Sequence, residues 1–360
     1  MEEQPDIRLP EDAGPHASSN IEWWYAFTFL NSSRGSRYAL MTSFFQVGES
    51  ACSKGHYLIY TLIDLDNKKQ KNQSRIDNKL KRNMMFLYLP FYLLLHPFDT
   101  TMWRLYKSLI AGRIPRPHGL LRKAVIKQNP LRLMYGKNSM TFEKEKEDFH
   151  LLLSEDGITA DLHFQPRKPH ALIGTDGKPD DLYYYSFTQN KVSGKLHTHK
   201  GIESVSGEGW FDHQWGKDYS LVKGTGWNWF GLQLDDGREL LLNEMRSNDG
   251  ETSSQMANVI EKDGTVRFTR NISFHPLKYW KSVKTNARYP IAWQITIPEF
   301  NIEIQTVPFF SNQEMLVLGP LQGIWEGAVS LTGKERLSNG AVNHLTGEGF
   351  MELVGYAFSS

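Results

Sequence analysis

Short runs in which apolar and polar residues alternate recur along most of this chain, separated by turns rich in glycine, asparagine and aspartate. A period of two suits a strand, where successive side chains point to opposite faces. Residues 21–30 (IEWWYAFTFL) and 37–45 flank the turn NSSRGS and predict a β-hairpin. Residues 56–64 predict a third strand that ends in the turn DNKKQKN. Further strands are expected at 139–143, 149–154, 158–165, 182–189 and 195–205. In the second half they are expected at 227–234, 239–246, 255–261, 265–274, 291–297, 302–307, 323–332 and 347–358. Several are joined by Asp-Gly turns, strong hairpin signals. So many short antiparallel strands specify an all-β sandwich or pair of barrels. The expected boundary lies between Tyr185 and Gly207, with domains at 1–190 and 191–360.

Residues 83–98 (NMMFLYLPFYLLLHPF) depart from this pattern. They are strongly apolar, but Pro90 and Pro97 break the run and it is too short to span a bilayer. Basic residues flank it: Lys79, Lys81 and Arg82 before, Arg104, Lys107 and Arg113 after. The stretch from about 80 to 135 is read as a partly helical insert in the first domain. Two readings stay open for its 84–110 portion: a lid packed on the domain, or a peripheral anchor in an anionic membrane surface.

Composition narrows the class. At 360 residues, 40% apolar and 22% charged, the chain is globular and long enough for two domains. A net charge of +1 leaves no basic footprint for nucleic acid. One cysteine, Cys52 in a polar run, excludes an internal disulfide framework and reads as an incidental loop thiol. The acidic N-terminus lacks the apolar core of a secretory signal, so the expected compartment is the cytoplasm, with peripheral attachment to the inner membrane face if the anchor reading holds. Nothing here bears on the oligomeric state.

The candidate chemistry concentrates between Gly207 and Arg246. Trp210, Trp215, Trp227 and Trp229 surround one acid, Asp212, in the run GEGWFDHQWG. Desolvation among aromatic rings raises a carboxyl pKa, and an acid kept protonated can deliver a proton. Asp212 is therefore the expected donor, weighed against an Asp that merely binds turn amides. His213 and Tyr185 are candidates to position water or return a proton. Trp24, Tyr25, Tyr183, Gln214 and Asn228 join the tryptophans as expected substrate-binding residues. Glu22 reads as a buried ion-pair partner for Arg246 or another strand arginine, and Trp325-Glu326 as packing plus a buried hydrogen bond. His197 and His199 share a strand face near His213 in sequence, but no third and fourth ligand pattern follows, so no metal is expected. There is no phosphate-binding loop, dinucleotide fingerprint, GxSxG elbow or HExxH, and no cofactor is expected.

Six segments, in order, resemble the AttH-like and carotenoid hydratase (hydroxyneurosporene synthase) family: Glu22-Trp23-Trp24-Tyr25, Tyr183-Tyr184-Tyr185-Ser186, Gly209 to Trp215, Gly226 to Gly237, Tyr289-Pro290 and Trp325-Glu326-Gly327. The resemblance covers nearly the whole chain and is weakest in the insert. It implies two lipocalin-like β-barrel domains packed together around a cavity for a long or polycyclic apolar ligand. It places the proposed acid at Asp212. Where the hydratases carry a His and a Trp on the preceding strand, this chain has Tyr183 to Tyr185.

Three functions are consistent with these readings. The first is a cofactor-independent enzyme that hydrates or cyclises a lipophilic isoprenoid or polyene in an aromatic-lined interdomain cavity, with Asp212 as acid and the tryptophans facing a developing cation. The second is a natural-product pericyclase of the Diels–Alderase kind that works by folding its substrate. The third is a non-catalytic binder of lipophilic ligands.

Overall fold

The computed structural model describes residues 7–49, 53–128, 130–143, 147–155, 157–174, 183–217, 225–247 and 251–357. Cys52 lies outside them. The chain divides into two compact units, one made of residues 1–170 and 175–218, the other of 171–174 and 219–360. Residue 190, where the sequence placed a boundary, falls inside a strand of the first unit.

The first unit holds β1 (Ile21–Ser32), β2 (Arg37–Val47), β3 (Gly55–Asp64), β4 (Lys69–Asp77), β5 (Gly119–Leu121), β6 (Ala124–Lys127), β7 (Arg132–Tyr135), β8 (Asn138–Phe142), β9 (Phe149–Glu155) and β10 (Ile158–Pro166). After β11 (Ala171–Leu172), which belongs to the second unit, the long hairpin β12 (Tyr183–Thr198) and β13 (Gly201–Gly216) completes it. The sheet runs β5-β4-β3-β2-β1-β13-β12-β10-β9-β8-β7-β6. β4 and β5 pair in parallel. The sheet curls so that side chains of its two halves touch. The Tyr135 hydroxyl on β7 donates to the Phe45 carbonyl on β2 at 3.0 Å, and Arg75 on β4 pairs with Glu155 on β9 at 2.9 Å. Inside the curl Phe211 of β13 packs on Phe149 of β9 and Phe142 of β8. The face of β13 that carries Phe211, His213 and Trp215 is therefore the inner one, and Trp210, Asp212 and Gln214 lie on the other.

Strand β4 corrects the sequence reading. Its sequence, KQKNQSRID, has no apolar alternation and reads as a turn, yet it pairs with β3 along its length. Backbone hydrogen bonds supply this pairing, and side chains add His56–Asp77 at 2.7 Å and Tyr57–Ser74. The insert is also reshaped. Helix α1 (Asn78–Asn83), a π-helical turn (Met84–Tyr88), α2 (Leu89–Leu95) and α3 (Thr100–Ile110) occupy its first part. Residues 119–135, expected to belong to the insert, return to the sheet as β5, β6 and β7. Asp77 caps α1 by accepting from the Leu80 amide at 2.7 Å, and Asp99 caps α3 through Met102 at 2.9 Å. Pro90 follows directly on the π-helical turn in a continuous helical run from 78 to 95, and its missing N–H interrupts the ladder at that irregularity.

In the second unit β14 (Gly226–Leu234), β15 (Glu239–Arg246), β16 (Thr252–Ile260), β17 (Val266–Thr269), β18 (Ser273–Lys281), β19 (Arg288–Ile297), β20 (Ile302–Pro308), β21 (Glu314–Leu316), β22 (Gly323–Arg336) and β23 (Val342–Leu353) follow. They run β17-β16-β15-β14-β23-β22-β20-β19-β18, with β21 on β22. The strand expected at 265–274 is two strands: β17 leads back along β16, and β18 pairs with β19 at the far end of the sheet. One core, including Phe230, Leu242, Ile291, Trp293, Ile304 and Met351, fills this sheet's concave side. Both sheets are mainly antiparallel, barrel-like and lipocalin-like, and the fold is all-β with a helical insert in the first unit.

Candidate active site

Register divides the sequence-predicted residues of β1, β12 and β13 between two faces. Trp24, His213 and Tyr185 stand side by side on neighbouring strands, and so do Tyr25, Asp212 and Ser186. The first row points inward and the second outward. Asp212 therefore does not share a site with His213 and Tyr185, because adjacent residues of a strand project to opposite sides. The grouping of these three as one catalytic set is not what the sheet builds.

On the outer face Asp212 is 3% exposed and accepts three bonds. The Ser186 hydroxyl lies 2.5 Å and the Trp210 indole N–H 2.6 Å from Oδ1, and the Tyr184 hydroxyl 2.8 Å from Oδ2. Trp210 stacks on Phe27 at 5.7 Å, and Tyr25 flanks the group. The bonds come from side chains, so Asp212 does not serve a turn. They also define its chemistry. The indole N–H can only donate, whereas a hydroxyl can turn and accept. Each carboxyl oxygen thus has one hydroxyl that could accept from it, Ser186 at Oδ1 and Tyr184 at Oδ2, while Trp210 only donates. Tyr184 belongs to the tyrosine run 183–185 from which the sequence offers a proton-handling group, with Tyr185 singled out, and Ser186 is not among the expected site residues. Their period-two spacing before the Asp motif was the available signal, but it does not say which strand they oppose.

On the inner face Glu22 is fully buried. Its Oε1 lies 2.7 Å from His16 Nδ1 and 2.9 Å from His213 Nε2, and its Oε2 accepts the His16 amide at 2.9 Å. Burial opposes the Glu22 charge, but the bonds from His16 and His213 outweigh it and hold the carboxyl below its usual range. Burial depresses the His213 pKa despite Glu22 beside it. His213 stacks on Trp24 at 4.7 Å, and His16 stacks on Trp215 at 4.0 Å. Trp215 in turn stacks on the half-exposed Tyr183 at 5.3 Å. Lys54 reaches the His16 carbonyl, which ties the N-terminal segment down. Glu22 is thus a histidine-paired carboxylate and not an arginine partner. Arg246 instead donates to the Val354 carbonyl at 2.6 Å and covers the Tyr356 ring at 3.7 Å. Tyr185 is completely buried edge-on to His213 at 5.4 Å, and burial pushes its phenol well up.

These inner groups include the one set of described residues with three ligand atoms close enough to hold a metal: His16, Glu22 and His213, mutually within 4.8 Å. His197 and His199 contribute nothing to it, since His197 pairs with Ile202 at the opposite end of the β12–β13 hairpin from His213.

Trp227, Asn228 and Trp229 belong to the second unit. Asn228 is buried, donating to Glu244 at 2.7 Å and accepting from the Tyr356 hydroxyl at 2.9 Å. Trp227 donates its indole N–H to Glu352. Glu352 lies across from Glu326 on neighbouring strands and is hydrogen-bonded to it. Burial holds the Glu352 carboxyl above its ordinary range in spite of those bonds. Two carboxyl groups bonded to each other share a proton, and this pair is the buried hydrogen bond that the sequence led one to expect at Glu326. An open cleft of about 630 Å³ also lies in this unit, lined by charged residues including Asp236, Arg238, Arg267 and Glu335. Its charges pair with one another, Arg238 with Asp236 and Glu335 at 2.7 Å each.

Residues 99–356 match the AttH-like family. The chain belongs to that family. A solved AttH-type protein of Nitrosomonas europaea is 24% identical, covers 98% of both chains and superposes with a TM-score of 0.73. Kievitone hydratase of Nectria haematococca is 14% identical over 99% of this chain and 94% of its own, with a TM-score of 0.71. CghA in complex with Sch210972 is 10% identical over 100% and 96%, with a TM-score of 0.58. At these identities the likeness is one of fold. No curated protein matches the chain. In this AttH-like protein the Trp-Asp motif lies on β13, which turns Trp210 and Asp212 to one face and Phe211, His213 and Trp215 to the other.

Proposed function

We propose that this AttH-like protein is a cofactor-independent enzyme that hydrates or cyclises a lipophilic isoprenoid or polyene, with Asp212 as proton donor and Tyr184 as the group that relays the proton. The observation that carries the reading is the Asp212 carboxyl. It is buried among Tyr25, Phe27 and Trp210 and held by two hydroxyls and an indole N–H. Protonating an unactivated alkene needs an acid in a dry, oriented setting, and an aromatic face stabilises the cation that forms. The fold shared with a protein named for a hydratase activity supports the class of reaction.

A second reading is ring closure without proton transfer, in which the protein only folds the polyene. One feature favours it: three donors aim at Asp212, which suits a fixed carboxylate better than a mobile proton. Turnover of terminal-alkene isoprenoids and linear polyenes in deuterated water separates the two. Under the first reading deuterium enters the product, and Asp212→Asn lowers turnover by about 10²–10⁴-fold while tryptophan-quenching titration shows ligand still bound. Product free of solvent deuterium and unchanged turnover in Asp212→Asn would establish the second. Binding with no chemical change in either protein leaves a carrier.

A further inference from the structure

From the helical insert we infer that the first unit docks on an anionic lipid bilayer. The inference stands apart from the reaction at Asp212. Residues 83–98 hold no Asp, Glu, Lys or Arg. The insert buries one side: Met84, Leu89, Leu93, Met102, Leu105 and Leu109 pack inward. Its other side is also apolar. Phe86 is 74% exposed, Leu94 76% and Phe98 93%, and Leu87, Phe91 and Leu95 are more than half exposed beside them. With Trp103 and Ile110, the 84–110 stretch carries eight of the seventeen exposed large apolar side chains among the described residues. A helix that turns an apolar surface both ways has more apolar surface than its own domain covers, and such contiguous patches mark interaction sites.

Charge selects the occupant. Between residues 78 and 118 there are seven Lys and Arg against a single acid, in a chain whose net charge is +1. That acid, Asp99, is engaged in capping α3 and in a bond from the Tyr92 hydroxyl. Arg82, Arg104, Lys107, Arg113 and Arg116 are exposed on both flanks of the apolar run. An apolar centre with cations on its borders matches acyl chains below a layer of anionic head groups. A second copy of the chain would set the same basic border against itself, because a two-fold interface is self-facing. No helix among the described residues is long and apolar enough to cross a membrane, so the insert lies in the interface.

Vesicle sedimentation of the full chain tests this. Phosphatidylcholine vesicles with and without phosphatidylglycerol are compared at low and high salt. Binding is expected to anionic vesicles and to weaken with salt. The triple variant Phe86→Ser, Leu94→Ser, Phe98→Ser changes only exposed positions and should bind at least about tenfold more weakly with an unaltered melting curve. Arg104→Glu with Lys107→Glu should do the same. Equal sedimentation of wild type and triple variant would overturn the inference. So would a dimer in analytical ultracentrifugation that the triple variant dissolves, which assigns the face to a second copy. Loss of turnover in the triple variant without any vesicle binding would assign it to a lid.

Discussion

At residue 212 the carboxyl and its donors form a unit whose parts have separable effects. Replacing Tyr184 by Phe removes the bond to Oδ2 and leaves Oδ1 held by Ser186 and Trp210. If Tyr184 relays the proton, Tyr184→Phe lowers kcat and leaves KM nearly unchanged, while Ser186→Ala, which touches the other oxygen, has the smaller effect. Steady-state kinetics on any substrate that the deuterium experiment identifies would check this order, and the reverse order removes the relay. Glu22 illustrates a different economy. Its charge is buried and compensated by His16 and His213, and removing one partner of such a group typically costs about 3–5 kcal/mol. Glu22→Ala should therefore lower the Tm markedly with no direct effect on chemistry at Asp212, which points the other way from its strand. Much of this was legible in the sequence as residue types. The acid, the aromatic rings and the tyrosine run were all visible, but 207–216 was not assigned to a strand, so the alternation that sends Asp212 and His213 to opposite faces was not applied to it.

At the scale of the element, the β12–β13 hairpin sets the site. A register shift between Phe187 and Asn190 bends β12, and the Asn190 amide fills the break by donating to the Phe187 carbonyl at 2.8 Å. On β13, Gly207 lets β1 approach closely: a Cβ there would lie 1.8 Å from the Phe29 carbonyl oxygen. Gly207→Ala must push β1 and β13 apart, and a loss of about 2–4 kcal/mol is expected from strain of this kind. Hydrogen exchange should show the loss first in the β1–β13 ladder, on which Tyr25 and Asp212 depend. An unchanged exchange pattern would mean that the strands tolerate the methyl group. The strands with apolar alternation were readable because burial on one face imposes a period of two. Strand β4 was not, since its polar side chains give no alternation, and its ties to β3, main-chain bonds together with His56–Asp77 and Tyr57–Ser74, leave no local pattern.

For the whole molecule, the two units carry buried carboxyls shifted in opposite directions, and pH should separate them. Glu22 in the first unit is depressed, so its contribution is present above about pH 4.5, its unfolded value, and is lost as pH falls through the folded value. Glu352 in the second unit is raised, so its contribution is present below about pH 4.5 and is lost as pH rises through the folded value. Thermal melts across pH should show Glu22→Gln flattening the acid limb and Glu352→Gln flattening the rise-of-pH limb. A carboxylic acid infrared band at neutral pH that Glu352→Gln removes would identify the shared proton directly. The sequence by itself determined the all-β class, the two-unit size, the family and an apolar insert with basic flanks, because each of these follows from local alternation, composition or contiguous motifs. Only the tertiary structure decided which face of β13 turns inward, that His16 closes on Glu22, that Glu326 meets Glu352, and that the insert's outer side stays uncovered. Those facts depend on strand register and on contacts between residues far apart in the chain, where the free energy of pairing comes from partners that no local window contains.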